Sequence, residues 1–159
     1  MKPRIEHLEE FRLVGHKIKM SFARNLTRSL WQGFMPGLRE IAAASKDLYS
    51  VEVFGDVRFF DHFDASKEFE KWAAVKVNDF EGIPDGMESL VIPSGAYAVF
   101  PYKGKPSEAQ PTYEYIHAQW IPTSEYELDN RPHFAVMGEK YKGEDPESEE
   151  ELWVPIRKK

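Results

Sequence analysis

No cysteine occurs among the 159 residues. That excludes disulfides, thiolate nucleophiles and cysteine-based metal centres, and it fits a reducing cytoplasm. No apolar run approaches the roughly 20 residues needed to cross a bilayer. The opening residues, Met1 to His7, carry no apolar stretch of the kind a secretory signal needs, so no membrane association is expected. Basic residues are in the minority, 21 against 27 acidic, which leaves a net charge of −6. Binding DNA or RNA through phosphates requires a basic face, so direct nucleic-acid contact is not expected either. A mildly acidic surface favours cationic small molecules or a basic protein surface. His7, His16, His62, His117 and His133 form no i, i+4 pair and do not cluster with carboxylates, so neither a metal site nor a cofactor is expected. There is no Gly-x-Ser-x-Gly elbow. Gly104-Lys105-Pro106-Ser107 lacks the upstream glycine of a phosphate loop and has proline where a helix would have to begin. What is plentiful is aromatic side chains, 14% of the chain, and these direct attention to a ring-lined cavity.

The last stretch, Glu149 to Ile156, is the most informative. Read with period two, Leu152, Val154 and Ile156 line one face of a strand, and Glu151 and Trp153 the other. Pro155 limits sheet pairing there. A strand face that carries a carboxylate beside the largest aromatic ring suits a partly enclosed cleft; the alternative is an edge strand with its Glu in water.

Upstream, residues 5 to 22 read as extended, with Gly15 a bulge or a close approach of two backbones. Thr27 is placed as the N-cap of a helix whose Leu30, Phe34, Leu38 and Ile41 share a face, broken into two pieces at Pro36-Gly37. Leu48 to Phe54 and Trp72 to Val77 read as strands around a loop with Phe59, Phe60 and Phe63. Asp79 to Met87 reads as the connection between halves. Glu88 to Tyr102 is extended again, with Gly95 in its middle. Ser107 and Gln110 read as a capping box opening a helix through Tyr113, Ile116 and Trp120 that Pro122 ends. His133 to Met137 and Glu150 to Ile156 read as the last strands.

The two halves match at a nearly constant shift. Gly15 and Gly95 are 80 positions apart, and Glu70-Lys71-Trp72 precedes Glu151-Leu152-Trp153 by 81. Several coincidences at one shift argue for a duplicated unit. The expectation is an α+β fold in one domain spanning 1–159: two strand-helix-strand-strand modules, about 5–78 and 88–157, related by a pseudo-two-fold. Antiparallel sheets would leave a ligand cleft where the modules meet.

Gly82-Ile83-Pro84-x-Gly86-Met87 through Ile92-Pro93-x-Gly95-x-Tyr97-Ala98-Val99-Phe100 resembles the GyrI-like small-molecule-binding family. So do Trp120-Ile121-Pro122-x-Ser124-x-Tyr126-Glu127, Arg131-Pro132-x-Phe134, Asp145-Pro146 and Glu151-x-Trp153-Val154-Pro155-Ile156. The resemblance covers nearly the whole chain and implies the same two-module fold with a central cleft. It implies kinship with effector-binding domains of AraC-type and MerR-type multidrug regulators, with antagonists of DNA gyrase, and with hydrolases of cyclopropane-bearing alkylating compounds. Because the first module starts almost at residue 5, no helix-turn-helix module is expected ahead of it.

The resemblance maps the family's final-strand glutamate onto Glu151, and the cleft walls onto Tyr49, Trp72, Tyr97, Trp120, Tyr126, Phe134 and Trp153. Ala135 stands where many relatives carry a second glutamate, which favours binding over turnover. A carboxylate held between rings is poorly solvated and gains from a cation, or from handing its proton to a substrate. Ring faces suit flat lipophilic cations. Glu70 reads as an exposed charge ahead of its strand. The leading function is therefore binding of amphipathic or cationic compounds in the cytoplasm. The alternatives are hydrolysis with Glu151 as the catalytic residue, and modulation of a protein partner, for which the acidic run Glu144 to Glu151 could meet a basic surface.

Overall fold

The computed structural model describes residues 2–159. Among these residues nine strands form one curled, wholly antiparallel sheet. They are β1 (Arg4–Leu8), β2 (Phe11–Met20), β3 (Ala43–Val53), β4 (Phe69–Val77), β5 (Glu88–Ile92), β6 (Gly95–Lys103), β7 (Tyr126–Leu128), β8 (His133–Met137) and β9 (Glu149–Lys158). The order across the sheet is β1-β6-β9-β8-β3-β4-β2-β5, with β7 paired to β9. Exchanging β1 for β5, β2 for β6, β3 for β8 and β4 for β9 turns this order into its own reverse. That is the expected pseudo-two-fold, and it passes between β3 and β8.

Each extended segment that opens a half is two strands, and the first strand of each crosses over. β1 pairs with β6, and β5 pairs with β2. The halves thus complete one another's sheet rather than lying side by side. The glycine correspondence also changes. Gly15 lies opposite Ala74, two residues beyond Trp72, and Tyr97 lies opposite Pro155, two residues beyond Trp153. The counterpart of Gly15 is therefore Tyr97, not Gly95. Gly15 is needed for a close approach, because a Cβ there would run into the Ala73 carbonyl.

Helix α1 (Thr27–Phe34) passes into a 3-10 turn at Met35–Glu40, the break expected at Pro36-Gly37. Thr27 is inside the helix and does not cap it; its N–H donates to Asn25 Oδ1 at 3.0 Å. Helix α2 (Gln110–Tyr115) continues through a π-helical turn, Ile116–Trp120, into a last turn at Ile121–Thr123. Pro122 lies within that last turn rather than beyond it. The expected capping box is absent: Ser107 sits in a separate 3-10 turn, and its N–H and hydroxyl both donate to the Glu144 carboxylate, at 3.0 and 2.6 Å.

Both helices pack on one face of the sheet. Under α1 lie Ala73 and Val75, with Leu30 and Phe34 from the helix. Under α2 lie Ala98, Phe100, Leu152, Val154 and Ile156. The β3–β4 loop folds its Phe59 and Phe60 against Phe54 and Phe69 at one end. The opposite face of the sheet has no helix on it, and there the alternation in β9 places Glu151 and Trp153. Among the described residues no helix is long and apolar enough to cross a membrane.

Candidate functional site

Strand alternation sends one set of side chains to the open face: Leu8 from β1, Phe11 and Leu13 from β2, Tyr49 and Val51 from β3, Trp72 from β4, Tyr97 from β6, Phe134 and Val136 from β8, and Trp153 from β9. At the seam between the halves these rings close on one another. Phe134 stacks on Trp153 with centroids 5.4 Å apart and planes 15° apart. Tyr49 lies 5.8 Å from Phe134, and Phe11 meets both Tyr49 and Phe134, at 5.7 and 5.8 Å. They surround a cleft of about 260 Å³, rimmed by Glu9, Glu10 and Lys76. Both halves contribute walls, which is why neither half's sequence shows the cleft by itself.

Two Glu-x-Trp corners flank this cleft. Trp153 Nε1 donates to Glu151 Oε1 at 3.3 Å, and Trp72 Nε1 donates to Glu70 Oε1 at 2.6 Å. Each corner holds a cation of the chain itself. Arg4 sits 2.8 Å from Glu151 and 2.9 Å from Glu6, with its guanidinium 5.6 Å from the Trp153 ring centre. Lys17 sits 3.9 Å from Glu70 and 3.4 Å from Glu88, and 5.7 Å from the Trp72 ring centre. Glu70 is thus part of β4 and of the open face, not an exposed charge ahead of the strand.

Beneath Trp153 lies Tyr97, fully buried, its hydroxyl donating to the Pro132 carbonyl at 3.2 Å. Arg131 caps its ring at 4.6 Å and is itself tied to Asp129 at 2.7 Å and to the carbonyls of Ala96 and Ile156. Gly95 makes room for that guanidinium, which a Cβ would strike. Burial pushes the Tyr97 hydroxyl up to about 12 despite Arg131. Burial, with the charges of Asp47 and Glu151, pushes Tyr49 up to about 12 as well. Both phenols therefore stay neutral and offer ring faces rather than charge.

Of the residues assigned to the cleft from sequence, Tyr49, Phe134 and Trp153 line it, while Glu151 and Tyr97 lie against Trp153 outside the lining. Trp72 lies at the far corner, 2% exposed. Trp120 and Tyr126 do not reach the cleft. They stack on each other at 6.2 Å on the helix side, with Trp120 edge-on to Phe100. The helical spacing that suggested a shared face for Trp120 was correct; that face packs on the back of the sheet. Ala135 is also on the helix side, packed with Leu152 and Ile121. A carboxylate at position 135 would face the helices, so Ala135 says nothing about catalysis in the cleft. Phe11, Leu8 and Lys76 were missed as wall residues. Only the pairing of β1 with β6 and the register of β2 against β4 and β5 put them there.

The helix side carries polar groups of its own. Glu52 and Lys71 form a 2.7 Å ion pair with side chains 11% and 12% exposed. Burial, reinforced by the charges of Glu52 and Glu144 and offset by Lys71, raises Glu150 to about 7. His117 stacks on Phe60 at 3.9 Å and lies 5.9 Å from His133. Burial lowers His117 to about 4, and it holds His133 well below the ordinary histidine range. No group of three metal-ligating side chains occurs among the described residues.

A ring-walled, carboxylate-flanked cleft on a pseudo-symmetric sheet is the architecture of a small-molecule receptor. The chain belongs to the GyrI-like small molecule binding domain family, whose model matches residues 1–157. Its fold is similar to that of SAV2435 bound to tetraphenylphosphonium (16% identity, 99% of this chain and 94% of that one covered, TM-score 0.75). It is similar as well to the EcmrR C-terminal domain (17%, 99% and 98%, TM-score 0.68). A hydrolase from Listeria innocua shares the fold too (14%, 98% and 92%, TM-score 0.62). No curated protein matches the chain.

Proposed function

We propose that the cleft binds a lipophilic organic cation bearing aromatic rings against Tyr49, Phe134 and Trp153, with Glu151 supplying the opposite charge. The observation that carries this reading is the convergence of three strand-held rings around a cleft of about 260 Å³ lined by both halves, with Glu151 hydrogen-bonded to one of those rings, Trp153. Ring faces attract cations, most strongly when water is excluded. Rings fixed by strands lose little freedom on binding, which favours affinity. The tetraphenylphosphonium bound to SAV2435 is a compound of this class. Lack of cysteine suits work in a reducing cytoplasm, where such compounds would be sequestered or sensed.

Binding without turnover is the preferred form of the proposal. Glu151 accepts from Trp153 and is paired with Arg4, so its oxygens are engaged as acceptors rather than poised to donate a proton. Titration of wild type and Glu151→Gln with tetraphenylphosphonium and with neutral triphenylphosphine oxide tests the cation reading. We expect the variant to lose about 1–2 kcal/mol for the cation and almost nothing for the neutral compound, since the carboxylate is 38% exposed. Equal losses for both would remove Glu151 from recognition. Incubation with a cyclopropane-bearing alkylator, followed by mass spectrometry, tests the hydrolase alternative. Consumption beyond one equivalent would establish turnover.

A further inference from the structure

The two corners repeat something more specific than a Glu-x-Trp motif. Glu6 on β1 pairs with Tyr97, and Glu88 on β5 pairs with Gly15, so the two outer carboxylates occupy equivalent positions, as Glu151 and Glu70 do. Each corner is therefore the same box: two carboxylates from neighbouring parts of the sheet and one indole ring. The cations inside are not equivalent. Lys17 comes from β2, opposite Trp72, and its counterpart on β6 is Val99, which lies opposite Trp153. The second half has no cation at that position, and Arg4 reaches in from the edge strand β1 instead. What is duplicated is a receptor for a cation, and each copy has acquired its own occupant by a separate route.

We propose that Arg4 is a tethered competitor for the cation site of Glu151 and Trp153, so that a cationic ligand enters by displacing the chain's own guanidinium. This rests on the cation-binding reading above. Arg4 already makes the contacts such a ligand would use: a carboxylate at 2.8 Å and an indole face at 5.6 Å. Its side chain is 47% exposed, and it sits on a strand paired along one edge only. Exposed ion pairs contribute little to stability, so the guanidinium is cheap to expel. Lys17, on an inner strand and over a buried indole, is the fixed counterpart. The specificity that follows is for ligands whose cation outcompetes a guanidinium. Large, weakly hydrated cations with aromatic substituents meet that condition, because they bring ring contacts that Arg4 lacks. Small ammonium ions do not.

The test uses the full chain and tetraphenylphosphonium. Arg4→Gln should tighten its dissociation constant about three- to fivefold, the gain expected when an exposed pair no longer has to be broken. Triphenylphosphine oxide should bind both proteins alike. Lys17→Gln removes the same formal charge from the open face and should leave the constant unchanged. In wild type, the Arg4 Nη2–H, which contacts Glu151, should lose its protection from exchange as ligand saturates, a readout that does not depend on any variant folding. Unchanged or weaker binding by Arg4→Gln, equal tightening by Lys17→Gln, or a protected Arg4 Nη2–H at saturation would each overturn the proposal. If Glu151→Gln still weakens the cation in that case, the cation reading stands and only the role of Arg4 falls. If Glu151→Gln has no effect on the cation, the reading itself fails.

Discussion

The Glu70–Trp72 corner and the Glu151–Trp153 corner start from the same strand positions and end as different objects. In the first, Gly15 brings β2 hard against β4, Trp72 is sealed, and Lys17 lies over it. In the second, the counterpart of Gly15 is Tyr97, whose ring fills the floor and leaves Trp153 half-buried at the cleft edge. The exchange of a hydrogen for a ring at that position accompanies the change from a sealed indole to a half-buried one. Behind the sheet the halves diverge again. Glu52 and Lys71 form a buried ion pair on β3 and β4, while the equivalent positions on β8 and β9 carry Ala135 and Leu152. Duplication set the frame, and the functions of the copies depend on which positions are filled by rings, charges or nothing.

The sharpest test of this contrast is to remove each indole. Trp72→Ala empties a sealed site and should cost about 4 kcal/mol of stability with the cleft's ring cluster left in place. Trp153→Ala should cost clearly less stability, yet lose about 1–2 kcal/mol of tetraphenylphosphonium affinity, because its face is a wall. Urea unfolding and ligand titration on the same pair of variants read both quantities. Reversed outcomes would mean the corners have been assigned the wrong roles.

Next in size is the ion pair. Glu52→Gln leaves a Lys71 ammonium without its partner in a nearly dry site and should cost about 3 kcal/mol. The double change Glu52→Met with Lys71→Leu replaces the pair by apolar side chains of similar volume and should return to within about 1 kcal/mol of wild type or exceed it. Denaturant midpoints at constant m-value decide.

The smallest effect separates two adjacent glutamates on β9. Glu151 lies on the open face against Arg4 and Trp153, whereas burial raises Glu150 to about 7 on the helix side. A carboxyl raised in the folded state favours the protonated native form, so its stabilising contribution is full below about pH 4.5 and is lost as pH climbs towards 7. The buried histidines act in the opposite sense between pH 4 and 6.5, so the comparison must be made against Glu150→Gln and not against pH alone. Relative to that variant, wild type should lose about 2 kcal/mol between pH 4.5 and 7, after allowance for partial exposure. A difference that does not vary with pH would place Glu150 in water.

The α+β class, the pseudo-two-fold and the alternation of β9 were legible because period-two patterning and a repeated Glu-x-Trp are local signals. Strand exchange was not legible. The break between β1 and β2 falls at Glu9-Glu10, and nothing local states that the five residues before it pair with β6. That is also why Arg4 was invisible as the partner of Glu151. Trp120 and Tyr126 were misplaced because an aromatic residue on an amphipathic helix looks the same whether its apolar face meets a cleft or the back of a sheet. The histidine pair 117 and 133 escaped for a related reason: the residues are 16 apart in sequence and meet only when α2 is docked over β8.

Strand exchange also sets the order in which the protein can become itself. Arg4 pairs with Glu6 within its own strand, but its backbone neighbour is Val99 and its second carboxylate is Glu151, so closing that corner joins points separated by nearly the whole chain. Loop closure over such separations is entropically expensive and slow, whereas the β3–β4 and β8–β9 pairings are comparatively local. The central strands can therefore assemble first, with β1 still free. The ion pair between Arg4 and Glu151 is then expected to be among the last contacts to close.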